Sequence, residues 1–135
     1  MAIEIKRNIQ WIREEKKGEP KKHKYAGLHL LAEFWDGKII DDADKIKSLL
    51  VEAVKRAKNT PLEFVVHKFE PQGVTGIVLL AESHISIHTW PEFNYVALDI
   101  YTCGDKSSPR KALEYLKSEF NPKRSEISEI KRGKM

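Results

Sequence analysis

Two segments in which apolar and polar residues alternate, 85–90 and 95–103, constrain the fold of this chain more than any other part. Alternation of this kind is typical of half-buried β-strands. The residues between them, 91–94, favour a turn, because Asn94 can adopt a positive φ where glycine would be the default. Because a connection this short does not allow the strands to run parallel, we predict an antiparallel hairpin.

The length of the turn limits the strand register of this hairpin. In one register Trp90 pairs with Tyr95. Ser83 then lies opposite Thr102, whereas a loop one residue longer would place Ser83 opposite Cys103. Directly opposed side chains are separated by about 4.5–5.5 Å. In either register we expect the Ser83 hydroxyl to lie near the single cysteine of the sequence.

The rest of the sequence predicts two helices and further strands. Apolar residues at helical spacing predict two helices. The first starts at the aspartates of 41–44 and ends before 59–61, and the second starts at the serines and proline of 107–109 and ends before 121–122. Strand-like segments lie at 25–35, 62–69, 75–81 and, as a short last strand, 125–130. Since the middle strands are joined by hairpin-length connections, we expect an α+β fold, a two-layer sandwich with both helices on one face of an antiparallel sheet.

Length and composition predict one domain, residues 25–135, preceded by an N-terminal extension, residues 1–24, that is flexible or forms a short helix. The single cysteine excludes an internal disulfide, and no apolar run is long enough to cross a membrane, so we expect a cytoplasmic protein without a membrane partner. The net charge of +4 is concentrated near both ends. Solvated termini explain this charge, and no nucleic-acid motif accompanies it, so a non-catalytic basic binding module is the least favoured alternative.

Polar residues follow the apolar segment 77–81, and they include Glu82, Ser83, His84 and His88. Polar groups beside a buried strand cost free energy unless they are paired, so they often have a function. Taken by themselves, these residues are better explained as a polar strand edge at a corner of the fold. A serine hydrolase is a weaker hypothesis, because Ser83 lacks the Gly-x-Ser-x-Gly pattern of a nucleophile elbow.

The histidines do not predict a metal site. On a strand, His84 and His88 would lie about 13 Å apart, which is too far for both to bind one ion. No further ligand cluster is apparent in the sequence, so we expect no metal. We interpret His29 as a hydrogen-bonded histidine at the edge of the core rather than as a ligand.

Two strings of residues resemble the prokaryotic S-adenosylmethionine decarboxylase proenzymes. The first is Glu-Ser-His-Ile-Ser-Ile-His-Thr-Trp-Pro-Glu at 82–92, followed by Thr-Cys-Gly at 102–104. The second is His-Lys-Phe-Glu-Pro-Gln-Gly-Val-Thr-Gly at 67–76. The similarity extends over residues 25–133 and implies the two-layer fold of that family.

The resemblance implies that the chain cuts itself. Ser83 would attack the carbonyl of Glu82 to give an ester, and His88 would be the proton acceptor for the elimination that follows. The bond between Glu82 and Ser83 would break, leaving a β chain, 1–82, and an α chain, 83–135, that begins with a pyruvoyl group. Thr75 stands where many bacterial members have a serine that assists processing, and it keeps the hydroxyl.

The resemblance also implies a lyase activity and its partners. The pyruvoyl group would form a Schiff base with S-adenosylmethionine, whose decarboxylation gives S-adenosylmethioninamine, the aminopropyl donor for spermidine and other polyamines. Cys103 would be the proton donor in that reaction. The protein would be a homodimer of αβ protomers, and an arginine decarboxylase of the same fold is the alternative. Five positions are expected to bind the substrate: Phe69, Trp90, Glu92, Ile85 and Ile87.

Overall fold

A computed structural model describes residues 24–103 and 106–135 as six strands and two helices. The strands are β1 (Tyr25–Trp35), β2 (Pro61–Lys68), β3 (Val74–Leu80), β4 (Ser83–Trp90), β5 (Tyr95–Cys103) and β6 (Arg124–Lys134). The helices are α1 (Ala43–Arg56) and α2 (Pro109–Phe120), and a 3₁₀ turn, Pro91–Phe93, joins β4 to β5. Apart from Lys24, the predicted N-terminal extension lies outside the described residues. Neither α1 nor α2 combines the length and the apolar character that crossing a membrane would require.

All six strands form one sheet in the order β2-β3-β4-β5-β1-β6, and every neighbouring pair is antiparallel. The first of the two predicted hairpin registers is confirmed: Trp90 pairs with Tyr95. Ser83 therefore pairs with Thr102. The last strand is longer than predicted, because β6 pairs along the whole of β1. The apolar pattern of β6 ends at Ile130, although the strand continues to Lys134. Nearly all residues of β6 are exposed, so burial does not require apolar residues in its last part.

The hydrophobic core lies between one face of the sheet and both helices, which confirms the predicted α+β class. Alternate strand residues, among them Leu30, Ile85, Ile87 and Ile100, are fully buried on this face. From the helices, Ile46, Leu50, Leu116 and Phe120 pack into the same cluster. Gly76 allows α1 to lie close to the sheet, since a Cβ at this position would be 2.8 Å from Leu50 Cδ1.

The two helices begin in different ways. Asp42 caps α1 as predicted, because its carboxylate accepts a hydrogen bond from the Lys45 N–H. Ser108 occupies the cap position of α2, but the prediction that its hydroxyl caps the helix is wrong, since the side chain makes no capping hydrogen bond. Its backbone N–H instead donates to the Ala57 carbonyl at 2.7 Å, so the start of α2 is attached to the end of α1.

The opposite face of the sheet is not covered by either helix, and we call it the open face. It carries the strand residues that alternate with the core residues, many of them polar or aromatic: His29, Glu33, His84, Ser86, His88, Trp90, Tyr95, Asp99 and Tyr101. Hydrogen bonds and ring contacts between neighbouring strands connect these side chains. The open face thus brings together most of the chemically reactive residues that the sequence suggested.

Candidate active site

The bond between Glu82 and Ser83 lies in the tight turn that joins β3 to β4. Leu80 pairs with Ser83, so Ala81 and Glu82 form a two-residue loop. Such loops usually place positive φ angles on the loop residues, but here neither has one. Ser83 instead has a φ of 144°, in the region that favours glycine. Backbone strain of this kind costs on the order of 1–3 kcal/mol and often marks a reactive position.

The carbonyl oxygen of Glu82 accepts two hydrogen bonds from Cys103. The backbone N–H donates at 3.1 Å, and the thiol donates at 3.2 Å. Two donors on one carbonyl oxygen polarise the C=O bond and can stabilise negative charge on the oxygen, as an oxyanion hole does. The sequence placed Cys103 near Ser83, but its contact with the Glu82 carbonyl depends on the turn and was not predicted.

Thr60 holds the same turn in place. The Thr60 N–H and hydroxyl donate to the Glu82 carboxylate at 2.9 and 3.3 Å. The Thr60 carbonyl in turn accepts from the Ala81 N–H at 3.0 Å. Sequence reasoning missed Thr60, because a threonine before a strand gives no signal that it contacts a residue 22 positions away, at the end of the neighbouring strand.

A polar network connects Ser83 to the middle of the open face. The Ser83 hydroxyl lies 3.3 Å from His84 Nδ1, and His84 Nε2 lies 3.5 Å from Asp99 Oδ2. His29 Nε2 contacts the same carboxylate oxygen at 3.1 Å, and the Ser86 hydroxyl donates to the other oxygen. His29 is therefore hydrogen-bonded, as predicted, but on the open face rather than at the core edge.

The pKa of Asp99 lies below its ordinary value. Burial alone would raise this pKa, but hydrogen bonds from Ser86 and His29, together with the charge and hydrogen bond of His84, outweigh the effect of burial. Asp99 is therefore a carboxylate at neutral pH, which suits it to orient the imidazoles on either side.

These groups also form a potential metal site that the sequence did not indicate. Each of three residues offers one ligand atom: His29, His84 and Asp99. These three atoms lie within 4.8 Å of one another. The sequence test considered only His84 and His88, whereas His29 and Asp99 come from other strands of the sheet. The hydrogen bonds within the network account for this arrangement of the side chains.

Thr75 and His88 form a second group, away from the turn. They pair across β3 and β4, and Thr75 Oγ1 lies 3.0 Å from His88 Nδ1. His88 is five residues along the strand from Ser83, which corresponds to about 16 Å. A single chain therefore brings Glu82, Ser83 and Cys103 together but keeps His88 and Thr75 apart from them.

Three of the residues predicted to bind substrate are accessible, and they lie at the His88 end of the sheet. Trp90 is 39% exposed and stacks on Tyr95, with ring centroids 5.4 Å apart. Phe69 is 47% exposed in the connection between β2 and β3. Glu92 is exposed in the turn between β4 and β5.

The two predicted isoleucines do not fit a role in binding. Ile85 and Ile87 both have 0% exposure and pack in the core on the helix side of the sheet. They alternate with His84, Ser86 and His88, and the period of two residues in a strand directs them away from the open face. Their side chains pack behind the site, on the helix side of the sheet, and expose no surface to a ligand.

The fold and the site define a two-layer α+β protein with a strained serine, a polarised carbonyl before it and a thiol in contact with that carbonyl. Residues 28–133 match the family model described as S-adenosylmethionine decarboxylase. The chain belongs to this family.

Curated and structural relatives agree with this assignment. An S-adenosylmethionine decarboxylase proenzyme of Pyrococcus abyssi is 51% identical over 98 residues, which are 73% of this chain and 70% of the relative. A protein of the same name from Methanococcus maripaludis is 43% identical, covering 82% of this chain and 92% of the relative. The crystal structure of the adenosylmethionine decarboxylase from Aquifex aeolicus superposes with a TM-score of 0.79 at 43% identity, covering 84% of this chain and 95% of that one.

Proposed function

We propose that this chain is a proenzyme that cuts itself between Glu82 and Ser83 and then decarboxylates S-adenosylmethionine. The observation that carries this proposal is the pair of Cys103 hydrogen bonds on the Glu82 carbonyl, next to the strained Ser83. Membership of a family whose curated members are named proenzymes supports it.

In the first step of self-cleavage, Ser83 Oγ attacks the carbonyl carbon of Glu82. The attack closes a five-membered ring and places negative charge on the carbonyl oxygen, where the Cys103 N–H and thiol stabilise it. Collapse of this ring breaks the peptide bond and leaves an ester between Glu82 and the serine oxygen. Rearrangement would also relieve the backbone strain at Ser83, because the strained peptide is the bond that is lost.

In the second step, His88 accepts the proton from the α-carbon of residue 83, and elimination releases chain 1–82. Thr75 Oγ1, 3.0 Å from His88 Nδ1, orients the imidazole. Elimination leaves the Glu82 carboxylate at the end of chain 1–82 and a dehydroalanine at position 83. Hydrolysis of its imine tautomer by water then releases the nitrogen as ammonia and leaves a pyruvoyl group at the start of chain 83–135. The residues at the turn fit this group, since the hydroxyl that is eliminated, the carbonyl that is attacked and a proton donor lie together.

The pyruvoyl carbonyl supplies the electrophile that holds the substrate amine and the electron sink for the loss of CO₂. The Cys103 thiol lies beside position 83 and returns the proton to the substrate carbon.

Substrate recognition uses the exposed aromatic residues. Phe69 and Trp90 offer accessible ring faces for the adenine, and Glu92 offers a carboxylate for the ribose hydroxyls. Aromatic rings also attract the positively charged sulfonium of S-adenosylmethionine.

A homodimer would combine the two separated groups into one site. Glu82, Ser83 and Cys103 lie at one end of the sheet, and the group of Thr75, His88 and Trp90 lies towards the other end. If two open faces pack across a two-fold axis, the end of the sheet that carries Ser83 in one subunit meets the end that carries His88 in its partner. His88 of the partner subunit would then serve Ser83, and such packing would also cover the exposed aromatic residues of the open face.

Mass spectrometry of the purified protein tests the self-cleavage. The 15.6 kDa chain should yield fragments 1–82 and 83–135, the second with a blocked N-terminus. Ser83→Ala should leave the chain intact, whereas Ser118→Ala, on the exposed surface of α2, should cleave like the wild type. An intact wild-type chain would overturn the proposal.

Release of CO₂ from carboxyl-labelled substrates tests the specificity. We expect release from S-adenosylmethionine and none from arginine. Release from arginine alone would replace the proposed activity by that of an arginine decarboxylase.

A further inference from the structure

We propose that His84 is the general base that takes the hydroxyl proton of Ser83 in the first step of self-cleavage, and that Asp99 positions it. This inference rests on the proposed function, because it assigns a residue to a step of that reaction. It starts from an uninterrupted series of contacts on the open face: Ser83 Oγ to His84 Nδ1 at 3.3 Å, and His84 Nε2 to Asp99 Oδ2 at 3.5 Å.

The carboxylate determines which nitrogen of His84 can act as a base. A neutral imidazole carries one proton, and the nitrogen that faces a carboxylate retains it to donate a hydrogen bond. Because Nε2 faces Asp99, the lone pair is on Nδ1, the nitrogen next to the Ser83 hydroxyl. A serine hydroxyl is a weak nucleophile until an adjacent base removes its proton, and this arrangement places a base within reach.

The surroundings of Asp99 hold it as a fixed anion. The Ser86 hydroxyl and His29 Nε2 donate to its two oxygens. His29 Nδ1 lies 3.5 Å from a guanidinium nitrogen of Arg132, which can donate to it while Nε2 donates to Asp99. Asp99 is therefore oriented from several sides, and His84 is the group that connects it to the reacting serine.

The proton is conserved through the step. His84 Nδ1 takes the proton from Ser83 Oγ as the new bond from Oγ to the Glu82 carbonyl carbon forms, and the π electron pair moves onto the carbonyl oxygen. When the ring collapses, the carbonyl re-forms and the bond from the Glu82 carbon to the Ser83 nitrogen breaks. His84 then returns its proton to that nitrogen, which becomes the free amine of the ester.

His84 and His88 therefore act in different steps. Within one chain His88 lies about 16 Å from Ser83, whereas His84 is in contact with its hydroxyl. Loss of His84 should slow the reaction before the ester forms, and loss of His88 should stop it after the ester has formed.

Hydroxylamine distinguishes the two arrested states, since it cleaves esters readily and leaves ordinary peptide bonds intact. Purified wild type, His84→Ala and His88→Ala are each incubated with and without hydroxylamine, and the fragments are measured by mass spectrometry over time. We expect His84→Ala to persist as an amide chain that hydroxylamine does not cut, with cleavage slowed by about 10² or more. We expect His88→Ala to accumulate a chain that hydroxylamine cuts at position 83.

Added imidazole provides a second measurement that a purely structural role of His84 would not affect. It should restore part of the cleavage of His84→Ala by occupying the space of the missing side chain. His29→Gln is the matched histidine variant, because it removes the other imidazole on Asp99 and leaves the contact between His84 and Ser83 intact. It should lose much less of the cleavage rate than His84→Ala.

The role of Asp99 is tested through the tautomer of His84. In the uncleavable Ser83→Ala chain, ¹⁵N chemical shifts should show His84 protonated on Nε2, and Asp99→Asn should shift the population towards protonation on Nδ1. The cleavage rate of Asp99→Asn combined with His84→Ala should equal that of His84→Ala alone.

Cleavage of His84→Ala at the wild-type rate, or its accumulation of ester, would overturn the inference while leaving the proposed function intact. A wild-type chain that does not cleave would instead contradict the proposed function itself.

Discussion

Cys103 donates both its backbone N–H and its thiol to the same carbonyl oxygen of Glu82, at 3.1 and 3.2 Å. The thiol that we propose as the proton donor in the decarboxylation thus also contacts the carbonyl of the bond that we propose is cut during maturation. One side chain would serve two reactions in succession, first as a hydrogen-bond donor to an oxyanion and then as a proton donor to carbon.

Substitution of Cys103 should therefore affect both reactions. Cys103→Ala removes the thiol donor and leaves the backbone N–H, so we expect self-cleavage to slow by roughly 10-fold or more and decarboxylation per cleaved chain to be nearly lost. Cys103→Ser keeps a donor to the Glu82 carbonyl, so it should cleave faster than Cys103→Ala. Cleavage is followed by mass spectrometry, and CO₂ release is normalised to the amount of cleaved chain.

The comparison between these two variants separates the roles. If Cys103→Ala cleaves as fast as the wild type, the thiol does not stabilise the oxyanion. If Cys103→Ala decarboxylates at the wild-type rate once it is cleaved, the assignment of the proton donor is wrong.

Mixed dimers should reveal whether the site is shared between subunits. Ser83→Ala and His88→Ala chains, each with a different tag, are co-expressed and purified through both tags. If His88 of the partner subunit serves Ser83, the His88→Ala chain should cleave in the mixed dimer, because its partner retains the histidine. The control is His88→Ala expressed alone, which should remain uncleaved, and absence of rescue in the mixed dimer would place both groups in one subunit.

The sequence predicted the hairpin and limited its register to two alternatives, because a four-residue turn leaves few ways to pair two alternating segments; the structure selects the one that pairs Trp90 with Tyr95. It could not predict the group formed by His29, His84 and Asp99, since strand order rather than spacing brings these residues together. The contact between Thr60 and Glu82 depends on the register of β2 on β3, which shifts between Pro61 and Glu63. The resemblance to the family implied that His88 is the proton acceptor in self-cleavage, but not how far it lies from Ser83. The separation of about 16 Å from Ser83 became apparent only from the strand register.

Gly76 should be sensitive to the smallest enlargement. In Gly76→Ala the new methyl group would lie 2.8 Å from Leu50 Cδ1 and 3.2 Å from Ile87 Cγ2, so these buried side chains or α1 itself would have to shift. Overpacking of this kind costs about 1–3 kcal/mol of the free energy of unfolding. Urea denaturation measures the loss, with Ser48→Ala on the exposed surface of α1 as the control, and an unchanged midpoint for Gly76→Ala would contradict the close approach of α1.

Tyr95 should make the fold sensitive to alkaline pH. Burial, a hydrogen bond to Glu33 and the charge of Glu33 raise its pKa from 10.0 to about 12. Between these two values the unfolded state binds fewer protons than the folded state, so the free energy of unfolding should fall as pH rises from about 10 to about 12. Tyr95→Phe should remove the contribution of Tyr95 to this fall in the free energy of unfolding. Glu33→Gln should reduce that contribution, because only the effect of burial on the pKa of Tyr95 remains. Urea unfolding across this pH range measures the slopes, and equal slopes for wild type and Tyr95→Phe would show that Tyr95 ionises normally in the folded protein.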